Sequence, residues 1–414
     1  MKLNRSLIGA LLVSSIVFPA ALPELKFLLF GGALFFSLAE KIKISKSIFL
    51  ISIFFGLVGL AYSVYGFLVG APGALRVLTV MVAYPLLFPL LASVYKASDA
   101  GSLFKIFLLA SWLLVAVNLL YLVSGLVWPD NYFVSYIKFI YEDYAVIDSN
   151  EDYFKYTIPN ISSLVFLLPF CISAFFMVDH KRKKVELFCL VLVMLVLTVL
   201  SGRRALFVAA FAGPLALYIL ILAMGRRVKA SQMSLGRVLY VIAFLGFAGA
   251  FLYFFEFWDF YYSQVGSIFD FSGSASNVER ALQFKYLSEG IVEKPFFGHG
   301  AGAAAAYSRS FEQPWAYELS YVAFLFQYGI FGFLIYASGL ALLFYTLCLS
   351  LRGKERSIFE CCFIAGFVAF LVANATNPYL AKFDYMWVIF IPLGVLSAQI
   401  KGGAGSLRNY LIKS

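Results

Sequence analysis

The sequence predicts an all-α, polytopic membrane protein of about twelve transmembrane helices, and three observations predict it. Of 414 residues, 62% are hydrophobic and only 13% charged, too few charges to clothe a soluble surface of this length. Uncharged runs of the roughly 20 residues that one bilayer crossing needs recur from end to end. Short cationic clusters separate these runs: Lys41, Lys43 and Lys46; Lys181 to Lys184; Arg226, Arg227 and Lys229; Arg352, Lys354 and Arg356. With every cluster facing the cytoplasm, the spans between them alternate without conflict. Most Lys and Arg then lie inside and most Asp and Glu elsewhere, as the positive-inside rule expects. The net charge of +10 therefore reports orientation and implies no nucleic-acid partner.

The spans fall at approximately 6–22, 23–39, 47–69, 72–95, 103–127, 158–179, 185–201, 204–224, 238–257, 318–351, 357–376 and 385–400, with both termini inside. The chain, 1–414, reads as a single membrane domain. MKLNR and the apolar run after it look like a signal peptide, but the topology works with this segment kept as an uncleaved first span. The stretch 318–351 is too long for one straight crossing; it is expected to begin at the outer rim, bend near Gly329–Gly332, and then cross. Two outer segments are long. The first, 128–157, is rich in Tyr and acid. The second, 258–317, is a large loop before the tenth span, with Ser/Gly, helical, Gly/Ala and aromatic stretches in turn. No internal repeat is visible. All five cysteines lie in or beside apolar spans, so neither a disulfide framework nor a metal-ligand spacing is implied. Most of the many aromatics read as packing or lipid-facing residues, although outer Tyr and Trp also suit sugar rings.

Several polar residues stand out against this background. Ser201-Gly202-Arg203-Arg204 forms a short outer turn between two spans, where two arginines are costly. They either snorkel to lipid headgroups or clamp an anion, since guanidinium groups match phosphate oxygens bidentately. In the large loop, Asn277 suits a helix N-cap, and Arg280, Phe284, Leu287 and Ile291 share one face. Arg280 would thus point inward from a first helical turn, where anions are favoured; the bland alternative is a surface pair with Glu279 or Glu289. Glu318, beside Trp315, Tyr317 and Tyr321 at the rim of the tenth span, is either a general base with a raised pKa or a helix-dipole acid. His299, in a Gly-rich outer loop, and Arg76, in the outer third of the fourth span, are further candidates. Arg76 is expected to pair with an intramembrane acid or to face the same cavity. Arg309 and Lys285 are additional loop cations. His180 only extends the Lys181–Lys184 cluster, and the GxG patterns follow no strand and carry no cofactor signal.

Residues 200–350 resemble the O-antigen polymerase and ligase superfamily of bacterial envelope glycosyltransferases. The resemblance is carried by SGRRALFVAA, a Ser-Arg turn opening a span. It is carried too by ERALQFKYLSEGIVEKPFFGHGAG, an arginine, a helix, a Pro and a glycine pair. ELSYVAFLFQYGIFGFLIY supplies a rim helix, a Gly-bounded bend and a crossing. The resemblance implies a GT-C-like fold in the bacterial inner membrane with a periplasmic active site. It implies pyrophosphate binding by Arg204 and Arg280 with Arg203 adjacent. Arg76, Arg309, Tyr321 and His299 join them as substrate-binding candidates. Where the ligases carry a histidine, this sequence has Tyr317-Glu318, which favours a Wzy-type polymerase and makes Glu318 the positional candidate for the base.

The reaction so implied transfers a growing glycan from undecaprenyl pyrophosphate to a hydroxyl of a lipid-linked repeat unit. Fixed cations would stabilise the leaving pyrophosphate with no metal and no cofactor, since the loops show no carboxylate cluster suited to Mg²⁺. The expected partners are undecaprenyl-pyrophosphate-linked oligosaccharides, membrane lipids and a chain-length regulator. Two alternatives remain: a ligase moving the polymer onto a lipid A core, and a lipid-linked oligosaccharide flippase. Carriers usually place their polar site near mid-membrane and show related halves; here the polar residues concentrate at one face.

Overall fold

The structure, a computed structural model, describes residues 2–42, 44, 46–95, 99–141, 144–150, 153–223, 275–308, 310–350 and 358–392. The helices are α1 (Lys2–Val17), α2 (Pro23–Ala39), α3 (Lys46–Leu68), α4 (Ala74–Leu78), α5 (Tyr84–Ala92), α6 (Ala100–Val127), α7 (Tyr132–Ile140), α8 (Leu164–Met177), α9 (Lys181–Leu200), α10 (Arg204–Ala223), α11 (Ala275–Glu293), α12 (Ser320–Ser350) and α13 (Ile358–Ala373). A π-helical turn, Thr79–Ala83, joins α4 to α5. A short apolar helix, Phe383–Pro392, follows α13.

Among the described residues, seven helical stretches are long and apolar enough to cross a membrane: Phe49–Leu68, Ala74–Ala92, Ala100–Val127, Pro159–Met177, Ala205–Leu222, Ser320–Cys348 and Ile358–Thr376. This is the architecture of a helical membrane-spanning protein. Three other expected spans are helical but are shorter or more charged than those seven. Helices α1 and α2 have 16 and 17 residues, and α9 begins inside the Lys181–Lys184 cluster. The expected ninth span, 238–257, lies outside the described residues, and the twelfth is described only to Pro392.

The first outer segment is more ordered than a loop. Asn131 caps α7, its side chain accepting the Val134 N–H at 2.9 Å, as an Asn at this position should. An antiparallel hairpin follows, β1 (Val146–Asn150) with β2 (Tyr153–Thr157), Val146 opposite Thr157 and Asn150 opposite Tyr153. Apart from this hairpin the described elements are helical, as the sequence predicts; the β-branched and aromatic residues of these two five-residue runs favour pairing.

The described residues group into two compact units. The first comprises Met1–Ala110, Arg280–Glu360 and Ala373–Ser414; the second comprises Ser111–Glu279 and Cys361–Val372. In the first, α2 packs on α1 and α12 on α3. Two ion pairs tie its ends. Arg5 meets Asp99 at 2.9 Å, which puts the start of α1 and the start of α6 at one end. Lys26 and Asp384, 3% and 8% exposed, meet at 2.5 Å. Lys26 also donates to the Phe18 carbonyl, and Ala20 N–H donates to the second Asp384 oxygen, so this buried pair is met on several sides, as a desolvated pair must be.

The bend expected near Gly329–Gly332 falls at Gly329, with φ 63° and ψ −177°. Breaking a helix orphans backbone groups on both sides, and the 295–300 segment takes them up. Ile330 and Phe331 N–H groups donate to the Pro295 and Phe296 carbonyls, while His299 and Gly300 N–H groups donate to the Phe326 and Gln327 carbonyls. A side chain at 329 would collide with the Phe296 carbonyl and Gly298 N, in a conformation that only glycine adopts freely. Gly329→Ala is therefore expected to destabilise the fold by about 1–3 kcal/mol from the backbone alone. Thermal unfolding in detergent should show a clear drop in Tm, and an unchanged Tm would contradict this account of the break.

In the second unit, α8 packs against α9 and α10 and is the most buried of the spans. A Cβ at Gly213 of α10 would lie 2.2 Å from the Ala365 carbonyl, and one at Gly366 would meet the Phe166 ring, so both glycines permit close helix approach. The hairpin is held on α6 by Tyr156, whose hydroxyl donates to Asn118 Oδ1 at 2.6 Å, and by Tyr121, which donates to the Ala145 carbonyl.

Candidate functional site

The site grows from one face of α11. Leu287 is fully buried, Ile291 packs beside it, and they join Ala303, Tyr317, Ala323 and Phe326 in a small core. That core binds α11, the loop after it and the first turn of α12 into one body. The buried face continues through Gln283, which is 0% exposed, to Arg280. Two sequence expectations need correction. Phe284 is 56% exposed, because the inward row is 280, 283, 287 and 291, one position from the one that hydrophobicity alone selects. Helix α11 already includes Ala275, so Asn277 stands inside its first turn and is not the N-cap.

Arg280 Nε donates to Glu318 Oε2 at 2.8 Å. The two side chains are 30% and 15% exposed, half-sheltered beneath the rim. The partner is thus neither Glu279 nor Glu289. Burial lowers the Arg280 pKa from its ordinary value, though a guanidinium stays charged at any physiological pH. The contact is a charge-assisted hydrogen bond between a fixed cation and a carboxylate. Glu318 is held from below as well: its own N–H donates to Gln283 Oε1 at 2.9 Å. Gln283 therefore ties the Glu318 backbone to the helix that carries Arg280.

The loop from 298 to 317 is packed into the first unit rather than poised above it. Gly73 N–H donates to the Gly302 carbonyl and Ala301 N–H to the Tyr62 carbonyl. Gln327 of α12, 7% exposed, donates to the Ala303 and Trp315 carbonyls at 3.1 and 3.2 Å. Trp315 lies against Gly73, where a Cβ would overlap its indole. Ala305 N–H donates to the Tyr317 hydroxyl at 2.6 Å. Burial pushes the Tyr317 phenol up, and that hydrogen bond pulls it partway back.

His299 is committed to this packing. Its Nε2 lies 2.9 Å from the Gly290 carbonyl, an acceptor, so Nε2 carries the proton and donates. The ring stacks on Phe326 with centroids 4.5 Å apart. It caps the end of α11 and belongs to the scaffold under Glu318. His299→Ala, which removes the donor and the ring stack, should therefore lower the Tm in detergent; an unchanged Tm would contradict a packing role.

In the second unit, α9 ends at Ser201, Gly202 turns the chain with φ 60°, and Arg204 opens α10. The Arg203 guanidinium reaches the Ile158 carbonyl at 3.5 Å, just after β2. The Ser201–Arg204 turn and the hairpin thus share one end of this unit. Burial raises the Tyr156 phenol, Tyr121 adds to the rise, and the Arg203 charge opposes it. The Arg204 side chain and Arg309 lie outside the described residues. Tyr321 hydrogen-bonds Asn374, which also accepts the Leu380 N–H. Arg76, expected to pair with an intramembrane acid or to face the same cavity, is exposed and makes no ion pair among the described residues.

The sequence reading missed Gln283, Gln327 and the Lys26–Asp384 pair. A lysine inside an apolar span signals a buried partner, so Lys26 was readable; Asp384, 358 residues away, was not assignable to it. Among the described residues, no group of three or more His, Cys, Asp or Glu side chains is placed to hold a metal ion. The chain matches no protein-family model and no curated protein.

Proposed function

We propose that this protein is a glycan polymerase of the bacterial inner membrane, a GT-C-like enzyme of about twelve spans working at the periplasmic face. It transfers a growing glycan from undecaprenyl pyrophosphate to a hydroxyl of a lipid-linked repeat unit. The observation that carries the reading is the Arg280–Glu318 pair, a cation and a carboxylate at 2.8 Å on a rim bearing Trp315, Tyr317 and Tyr321. That pair supplies both functions the transfer needs.

In the reaction the bond from the anomeric carbon to the pyrophosphate oxygen breaks as the acceptor oxygen bonds to that carbon. The electron pair leaves on the pyrophosphate. Its growing charge competes with Glu318 for the Arg280 guanidinium, which binds phosphate oxygens in a fork. Glu318, released from its partner, accepts the proton of the acceptor hydroxyl. The ion pair neutralises the two charges against each other, and donor binding separates them. Arg203 and Arg204, on the Ser-Arg turn, are the further cations of this reading, with Arg309 and Arg76 as outer contacts.

His299 weighs against the ligase alternative. The only histidine near the rim is bound to the Gly290 carbonyl through Nε2 and serves packing, so the base falls to a carboxylate. The test is to incubate purified protein with lipid-linked repeat units alone. Polymer formed without a lipid A core is the expected result. Product only on adding core would identify a ligase, and transbilayer movement without product a transporter; either would overturn the proposal.

A further inference from the structure

The second unit carries an aromatic surface that the transfer reaction does not use. Helix α6 exposes a row of apolar residues, Leu113, Leu120, Val123 and Val127, at the spacing of one helix face. The row ends at Trp128, also exposed, and Pro129 stops the helix. Asn131 then fixes the corner. Its Nδ2 donates to the Trp128 carbonyl at 2.7 Å and to the Ser124 carbonyl at 3.4 Å, while its Oδ1 accepts the Val134 N–H. Helix α7 therefore leaves α6 in one set direction. On one face of α7, Val134 and Ile137 are buried, and Tyr141 continues that face. The opposite face is aromatic: Tyr132, Tyr136 and Phe139 fall in one line and are 97%, 52% and 79% exposed. Lys138, the one charge in α7, lies half-buried on the flank, so no charge interrupts the stripe. A contiguous apolar patch of this kind marks a surface that meets something apolar.

What it meets follows from continuity. The α6 row belongs to a helix long and apolar enough to cross a membrane, so it faces acyl chains. Trp128 and the α7 stripe extend that row past the end of the span. Tyr and Trp at this level settle where chains meet headgroups, with the ring in hydrocarbon and the polar tip in water. We propose that α7 is an interfacial helix, with Tyr132, Tyr136 and Phe139 between the headgroups and upper acyl chains of the leaflet at the end of the unit that holds the Ser201–Arg204 turn. This has a consequence for that turn. Helix α7 runs into the hairpin, and β1 packs on α6 where Gly125 leaves room for Ile147. Arg203 reaches the Ile158 carbonyl just after β2. Anchored through α7, the hairpin holds the Arg203 guanidinium at the depth of lipid headgroups.

The test puts p-acetylphenylalanine, which takes a nitroxide through its ketone, in place of Tyr132, Tyr136 or Phe139 in turn. The full chain is reconstituted in liposomes of phosphatidylethanolamine and phosphatidylglycerol without glycan. Collisions with oxygen, which concentrates in hydrocarbon, are compared with collisions with a water-soluble nickel chelate. A label at Leu120 of α6 is the lipid-facing reference, and one at Gln313, exposed in the loop before α12, is the aqueous one. Labels at Tyr136 and Phe139 should favour oxygen over nickel several-fold more than the label at Gln313, and should lie shallower than the label at Leu120. Nickel collisions equal to those at Gln313 would put the stripe in water, and few collisions with either agent would mean a protein cover; each result would overturn the proposal. Tyr136→Ser combined with Phe139→Ser should raise nickel collisions several-fold for the label at Tyr132, at equal inserted protein. Unchanged collisions there would show that packing alone places α7, and its role as an anchor would fall.

Discussion

Arg280→Ala is expected to lower the rate of polymer formation by about a hundred- to a thousandfold, the range seen when one preorganised electrostatic contact to a developing anion is removed. Insertion and folding should be retained. Leu287 and Ile291 carry the packing of α11, and Arg280 stands at the end of that row, 30% exposed. The substitution also removes the Arg280 partner of the Glu318 carboxylate, while the Glu318 N–H keeps its hydrogen bond to Gln283. Arg280→Lys should recover part of the loss and not all. A lysine restores the charge but not the planar fork that holds two phosphate oxygens at once. Rates are read as polymer per inserted protein with purified lipid-linked repeat units, and an Ala variant at the parent rate would remove Arg280 from the reaction.

Glu318→Gln is expected to cost a hundred- to ten-thousandfold, the usual contribution of a positioned base. Glutamine fills the same volume and keeps an acceptor for Arg280 Nε, so donor binding should survive while transfer fails. The pH profile separates a base from a structural acid. An ionised carboxylate must accept the proton, so activity should fall as pH drops through its titration. That acid limb should be missing from the residual activity of Glu318→Gln, whereas a limb that persists unchanged would assign it to another group.

The fold was legible where periodicity and glycine speak locally. The bend in GIFG lands on Gly329, because no other residue takes that backbone angle and the loop at Pro295–Gly300 needs the freed groups. Helix α11 was legible from its spacing, but its inward face was not. Phenylalanine at 284 looked like core and is exposed, while Gln283 is buried because it has Glu318 N–H to satisfy. Buried polar residues with tertiary partners are invisible to a hydrophobic pattern. The same limit hid the principal result. Arg280 and Glu318 each stood out as costly charges near a membrane, yet their pairing spans 38 residues and depends on a loop that the sequence shows only as Gly- and Ala-rich. The β1–β2 hairpin was missed because its Tyr-rich, acidic strands sit in a segment read as a loop. Arg76 was expected to pair with an intramembrane acid or to face the same cavity; among the described residues it makes no ion pair, and Asp384 is held by Lys26.

A double-mutant cycle on the polymerisation rate tests most directly whether Arg280 and Glu318 form one reaction centre. Parent, Arg280→Ala, Glu318→Gln and the double variant would each be purified and assayed on the same lipid-linked repeat units. Residues that act as a unit are strongly non-additive. The double variant should therefore lose little more than the worse single one. Losses that multiply, as for independent sites, would contradict the coupled pair.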